Sequence, residues 1–222
     1  MNRQSELRDF AGETESSSRY FGWRVTAALF AIAVIAWGFG FYGHAVYLAE
    51  LHRLHGWPTW LISSASTLYY ITSATLVIFV NDVIRRLGAR RCILLGAGCF
   101  AVSIAALGQV TRPWHLFAVY FVMALAWATM TVGSITNILG HWFDRRRGLA
   151  ISLALNGASF GGVIVIPFMV FAIAAYGLAA TMAVSSILVF ALAAPLAVFV
   201  MGKPFPHPLA PASEGEISRR TR

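Results

Sequence analysis

The sequence predicts an all-α membrane protein with six transmembrane helices, and three observations carry that prediction. Of its 222 residues, 58% are hydrophobic and only 12% are charged, about half the ~25% charge that covers a soluble domain. Six runs of 19 to 27 residues contain no Asp, Glu, Lys or Arg, and each is long enough to cross ~30 Å of hydrocarbon as a helix. The basic residues fall between these runs in alternation, dense at one side of the implied membrane and sparse at the other. Barrel strands would alternate polar and apolar residues over about ten positions. These runs are apolar on all sides, so helices are the reading.

The segments follow in order as about Val25–Ala49, Pro58–Val80, Cys92–Val110, Trp114–Leu139, Leu149–Ala175 and Leu178–Met201. The first is too long for the 7–15-residue apolar core of a secretory signal and follows a polar tail, so it reads as a retained span. Residues 1–21 are rich in Ser, Glu and Arg and read as a disordered tail. Residues 22–202 form the transmembrane domain. Residues 203–222, Pro-rich at first, read as a tail or the start of a central linker. Tyr176-Gly177 is a connection so short that segments five and six must be antiparallel neighbours.

The formal net charge is +8, which in a soluble protein would raise nucleic acid as a partner. The positions exclude it. Fifteen of the 17 Arg and Lys residues lie in the N-terminal tail, at Arg85, Arg86, Arg90 and Arg91, at Arg145, Arg146 and Arg147, or in the C-terminal tail. Arg53 and Arg112 alone fall on the other side. The positive-inside rule therefore places both termini in the cytoplasm of an integral, multi-pass plasma (inner) membrane protein whose first partner is the lipid bilayer. Cys92 and Cys99 lie about 10 Å apart along one helix face, too far for a disulfide, and read as packing residues.

Two loops on the arginine-rich side carry the sharpest local signals. The first, Asn81 to Arg91, contains Asp82, Arg86, Gly88, Arg90 and Arg91; the second is Trp142-Phe143-Asp144-Arg145-Arg146-Arg147-Gly148-Leu149-Ala150. Asp144 stands where a carboxylate would cap the start of helix five, and the arginines stand where they hold topology or meet lipid phosphates. With Gly157, Gly161 and Gly162 further along, these residues resemble the N-terminal half of a major facilitator superfamily transporter of the monocarboxylate and oxalate–formate type, over about residues 20–202. Gly38 to Leu51, followed by Gly56-Trp57-Pro58, is similar to that family's first helix end and outer loop. Departures are specific. The acidic position of the family's loop-2–3 motif falls on Arg85, with Asp82 three residues earlier. Ala158 replaces the proline of its helix-five antiporter motif, and no arginine occurs between Pro113 and Gly140.

The resemblance implies a 3+3 inverted-repeat bundle, half of a twelve-helix fold that binds a small solute between its halves and transports it by alternating access. Organic anions such as monocarboxylates are the implied substrates. It also implies a partner that covers the inner face, either a second six-helix half or a second copy in a homodimer. The alternative expectation is a truncated membrane protein without transport activity, or an assembly partner. Helices one and four line the cavity in such a fold. Trp37, Gly40, His44 and Tyr47 share one face of helix one, and Trp127, Thr131 and Asn137 share one of helix four, so these faces, with Asn156 of helix five, are the candidate substrate path. His44 is an ionisable group of the pH 5–8 range placed inside a span, a functional candidate for that reason. Gly157 and Gly161, with Gly162, are spaced to bring helices close.

Other chemistries fare worse. Gly157-Ala158-Ser159-Phe160-Gly161 matches the serine-hydrolase elbow pattern, but it lies inside a long apolar helix where that motif needs a strand–turn–helix. Glu50, His52 and His55 offer no complete metal-ligand set. Neither catalysis, a metal nor a cofactor is expected.

Overall fold

The computed structural model describes residues 15, 17 and 20–200, without the side chains of Asn81, Phe199 and Val200. Of the tail expected at 1–21 all but residues 15, 17, 20 and 21, and the whole of the tail expected at 203–222, lie outside the described residues. Among the described residues the secondary structure is helical: α1 (Phe21–Trp37), a π-helical turn (Gly38–Tyr42), α2 (Gly43–His55), α3 (Thr59–Leu87), α4 (Ala89–Leu107), α5 (Pro113–Met130), α6 (Val132–Trp142) and α7 (Arg147–Pro195), followed by a second π-helical turn (Leu196–Val200). Spans one and four are each interrupted. Span one is α1 and α2 joined through the π turn, and span four is α5 and α6 joined through extended Thr131 (φ −103°, ψ −163°).

Spans five and six form α7, which reverses at Gly177. That residue has φ 79° and ψ 167°, a left-handed backbone that glycine adopts without a Cβ penalty. The neighbours prove the reversal. Gly157 meets Phe30, Gly161 meets Val34 and Val165 meets Gly38, so residues 147–176 run parallel to span one. Gly108 meets Ala179 and Met182 while Gly98 meets Phe190, so residues 178–195 run antiparallel to α4. The six apolar segments thus become six crossings, in an all-helical bundle of the membrane type.

The close approach of spans one and five sets the bundle's centre. A Cβ at Gly157 would stand 2.3 Å from the Phe30 carbonyl oxygen, and one at Gly161 would stand 2.6 Å from that of Val34. Only hydrogen at those two positions lets the backbones touch. Around the outside, large apolar side chains point away from the protein: Ile78, Val163 and Phe171 are more than 70% exposed. A belt of that kind has hydrocarbon as its natural solvent.

Candidate functional site

The site is built where the Gly-rich π turn lets span one approach span four. In Gly38-Phe39-Gly40-Phe41-Tyr42-Gly43, a Cβ at Gly40 would stand 2.4 Å from Trp127 Cδ1 and 3.0 Å from the Tyr69 hydroxyl. π turns of this type recur at functional positions because they free a carbonyl and re-aim side chains. Here the Tyr47 hydroxyl donates to the Phe39 carbonyl oxygen at 3.0 Å and secures the turn. Trp37 and Trp127 meet with ring centroids 5.7 Å apart.

One helical turn further, His44 lies in a cage of tyrosines. Its ring centroid is 4.5 Å from Tyr69, 4.9 Å from Tyr120, 5.3 Å from Tyr70 and 5.9 Å from Tyr47. His44 is 7% exposed, and Tyr47, Tyr69 and Tyr120 are fully buried. The polar atoms of this cage are unusual. The His44 ring lies near the Gly40 and Phe41 backbone, and among the described residues neither ring nitrogen makes a hydrogen bond of ordinary geometry. The Tyr120 hydroxyl faces Ser66, whose own hydroxyl donates to the Ile62 carbonyl oxygen, and it too makes no ordinary bond. Among the described residues the Tyr69 hydroxyl and Trp127 Nε1 have no hydrogen-bond partner. Each such buried group costs about 1–3 kcal/mol when left unsatisfied, so a cluster of them on adjoining spans calls for a function.

Other residues of the expected path lie differently. Thr131 breaks span four and donates weakly to the Ala128 carbonyl oxygen at 3.4 Å. Asn137 is half-buried one turn before His141, whose Nδ1 lies 2.8 Å from the Asn137 carbonyl oxygen. Asn156 is exposed on span five. The structure brings Trp37, Gly40, His44, Tyr47 and Trp127 together and adds Tyr69, Tyr70 and Tyr120. Span two had a legible signal, since Ser66, Tyr69, Tyr70 and Ser73 recur at helical spacing.

At the arginine-rich end, Asp82 pairs with Arg85 one turn along its own helix, an exposed pair of small energetic weight. Gly88 has φ 81° at the turn between α3 and α4, while Arg86, Arg90 and Arg91 are exposed around it. In the second loop, Asp144, Arg145 and Arg146 are exposed. The Arg147 guanidinium lies 3.0 Å from the place of a Gly140 Cβ, a Cβ at Gly148 would meet open space, and Gly162 faces the Tyr42 ring.

The cap expected of Asp144 is not formed. The N-cap of α7 is Arg146 and no side chain caps it; Asp144 lies two residues outside that cap, beyond reach of the first-turn amides. Glu15 supplies a carboxylate nearby instead. Its two oxygens accept the backbone N–H of Asp144 at 2.8 Å and of Arg146 at 2.9 Å, and Trp23 Nε1 donates to its carbonyl oxygen at 3.0 Å. The Tyr20 hydroxyl donates to the Trp142 carbonyl oxygen. Burial and the Glu15 charge hold that hydroxyl above its usual pKa, so it remains a donor. Sequence reading missed Glu15 because nothing distinguishes one glutamate in a polar tail. Hydrogen bonds to charged groups contribute about 1.5–3 kcal/mol. Glu15→Ala is therefore expected to lower the thermal unfolding midpoint in detergent by the equivalent of about 2 kcal/mol, with Glu15→Gln recovering part of it.

Among the described residues no three His, Cys, Asp or Glu side chains converge as a metal-ligand group. Glu50 bonds Arg53 at 2.5 and 3.0 Å, His52 Nδ1 lies 2.7 Å from the Trp57 carbonyl oxygen, and His55 stacks on Trp57.

The chain is similar to proteins named as transporters. The uncharacterised MFS-type transporter YcxA of Bacillus subtilis is 30% identical over 148 residues, 66% of this chain and 36% of its own length. The riboflavin transporter MCH5 of Saccharomyces cerevisiae is 25% identical over 47% of the chain and 19% of its own length. Monocarboxylate transporter 14 of Homo sapiens is 23% identical over 59% of the chain and 25% of its own length. The chain thus spans between about a fifth and about a third of these relatives. The family model described as Major Facilitator Superfamily matches residues 28–221, and with the helical bundle and its apolar belt it identifies this chain as an integral, multi-pass membrane protein belonging to the Major Facilitator Superfamily.

Proposed function

We propose that the chain works as the N-terminal six-helix half of a small-solute transporter operating by alternating access, with its polar inner face closed by a second six-helix unit. That unit is a separate C-terminal half or a second copy. The observation that supports this reading is the set of unsatisfied polar atoms on His44, Tyr69, Tyr120 and Trp127. They come from spans one, two and four, the third of which lines the cavity with the first in this fold. Neutral N–H and O–H donors around one histidine suit a solute rich in acceptor oxygens, such as a small organic anion. A relative named as a monocarboxylate transporter is in keeping with that chemistry.

In this reading both termini are cytoplasmic. The supporting observation is that Arg24, Arg85, Arg86, Arg90, Arg91 and Arg145 to Arg147 lie at one end of the bundle, against Arg53 and Arg112 at the other. Single cysteines placed at 90 and 146, in a chain lacking Cys92 and Cys99, are expected to react with impermeant maleimide only after the cytoplasmic side is opened. A cysteine at 55 is expected to react from outside intact cells. External labelling at 90 would overturn the orientation.

Transport is tested by uptake of a panel of small carboxylates into vesicles, with and without a second six-helix unit. Saturable uptake by the chain as an isolated monomer, one copy per vesicle, would overturn the requirement for that unit.

A further inference from the structure

Away from the polar cage, spans two, three and four enclose an apolar groove of about 260 Å³. One wall is a single face of α3, on which Leu76, Phe79, Val80, Val83 and Leu87 recur at helical spacing; the other is Cys92, Leu95 and Cys99 of α4. Its floor is made of small residues of span four, Ala126 and Ala128, both 1% exposed. From Leu76 to Leu87 it rises about 16 Å along the helix, close to the ~15 Å depth of one leaflet's hydrocarbon. The groove ends at the arginine-rich loop. Leu87 is preceded by Arg86 and Cys92 by Arg90 and Arg91, all three exposed. Asp82, the acidic residue of this loop, is occupied by Arg85.

We propose that this groove is a binding site for one anionic phospholipid of the arginine-rich leaflet. An acyl chain lies between α3 and α4 on the floor of span four, and the headgroup phosphate is held by Arg86, Arg90 and Arg91. Apolar length matched to a leaflet, ended by arginines that have no ion pair among the described residues and stand at headgroup depth, is complementary to a lipid. The basic cluster selects the anionic headgroup, since each arginine near the surface adds its own attraction to negative lipid.

The test is electron paramagnetic resonance of the whole chain in phosphatidylcholine vesicles. Trace phosphatidylglycerol or phosphatidylcholine carries the spin label on one acyl chain. Immobilised label is expected to favour phosphatidylglycerol by at least about fivefold, one arginine's worth of attraction. The combined Arg86→Gln, Arg90→Gln and Arg91→Gln variant is expected to bring the two lipids to parity. Arg145→Gln with Arg146→Gln is expected to leave the preference intact. Cys99→Phe fills the groove without touching a charge and is expected to abolish the immobilised phosphatidylglycerol, so the result does not hang on arginine variants that insert wrongly. Equal association of the two lipids with the unaltered chain overturns the proposal. So does a preference that survives Cys99→Phe, or one that is lost with Arg145 and Arg146 instead.

Discussion

Gly157→Val is expected to destabilise the bundle by about 3 kcal/mol or more, the upper range for overpacking a close contact, read as a fall in the unfolding midpoint in detergent. A Cβ there would stand 2.3 Å from the Phe30 carbonyl oxygen and 3.0 Å from Ala33 Cβ. The first of these is backbone and cannot swing aside as a side chain could. Gly161→Val belongs to the same class, because its neighbours are the Val34 carbonyl oxygen at 2.6 Å and the Gly38 nitrogen at 2.8 Å. Relieving either clash pushes spans one and five apart. That would displace the π turn at Gly38–Tyr42, and the His44 cage with it. Gly162→Ala meets only the Tyr42 ring, at 3.3 Å, so a small cost is expected. Gly148→Ala meets nothing within 4 Å, lies near the start of a helix, and is expected to be neutral or to stabilise by up to about 1 kcal/mol. Equal losses at 157 and 148 would show that helix packing is not what those glycines serve.

These glycines also mark what a sequence can and cannot disclose. Hydrophobic run length gave the crossings, because in hydrocarbon every backbone amide must be satisfied within the segment. It gave their ends only to within about two turns, as Val80 against Leu87 shows for span two. Apolarity fades gradually into a loop, whereas the helix stops where Gly56, Gly88 or Gly177 takes a positive φ. The interruptions of spans one and four were not legible, since neither Gly38–Tyr42 nor Thr131 interrupts the hydrophobic run. Helical spacing grouped Trp37, Gly40, His44 and Tyr47, because spacing along one span is a local property of the chain. It could not disclose that Tyr69 and Tyr120 close over His44, because partners from other spans are set by tertiary packing. Glu15 is the extreme case: 129 residues separate it from Asp144.

The largest functional effect is expected at His44. In vesicles showing saturable carboxylate uptake, His44→Ala is expected to lower kcat/KM at least about tenfold, equivalent to about 1.4 kcal/mol of lost solute or transition interaction. The two nitrogens of this group make no hydrogen bond of ordinary geometry among the described residues, but its ring is buried against four tyrosines, so His44→Ala also leaves a cavity and is expected to lower the unfolding midpoint. The groups facing His44 are Tyr47 on its own span, Tyr69 and Tyr70 on span two and Tyr120 on span four. All four are phenols, ordinarily neutral between pH 5 and 8. Any pH slope of uptake arising in this cage therefore belongs to His44. If the solute enters as a monoanion with the proton on His44, uptake rises as pH falls, and the slope disappears in His44→Ala while persisting in Tyr69→Phe. Tyr69→Phe keeps the ring that packs on His44 and deletes only the unpartnered hydroxyl. It is expected to raise KM several-fold with kcat little changed, and Trp127→Phe, which loses the Nε1 donor, should act in the same direction. Uptake in His44→Ala that matches the unaltered chain at every pH from 5 to 8 would reduce the cage to a packing feature of span one.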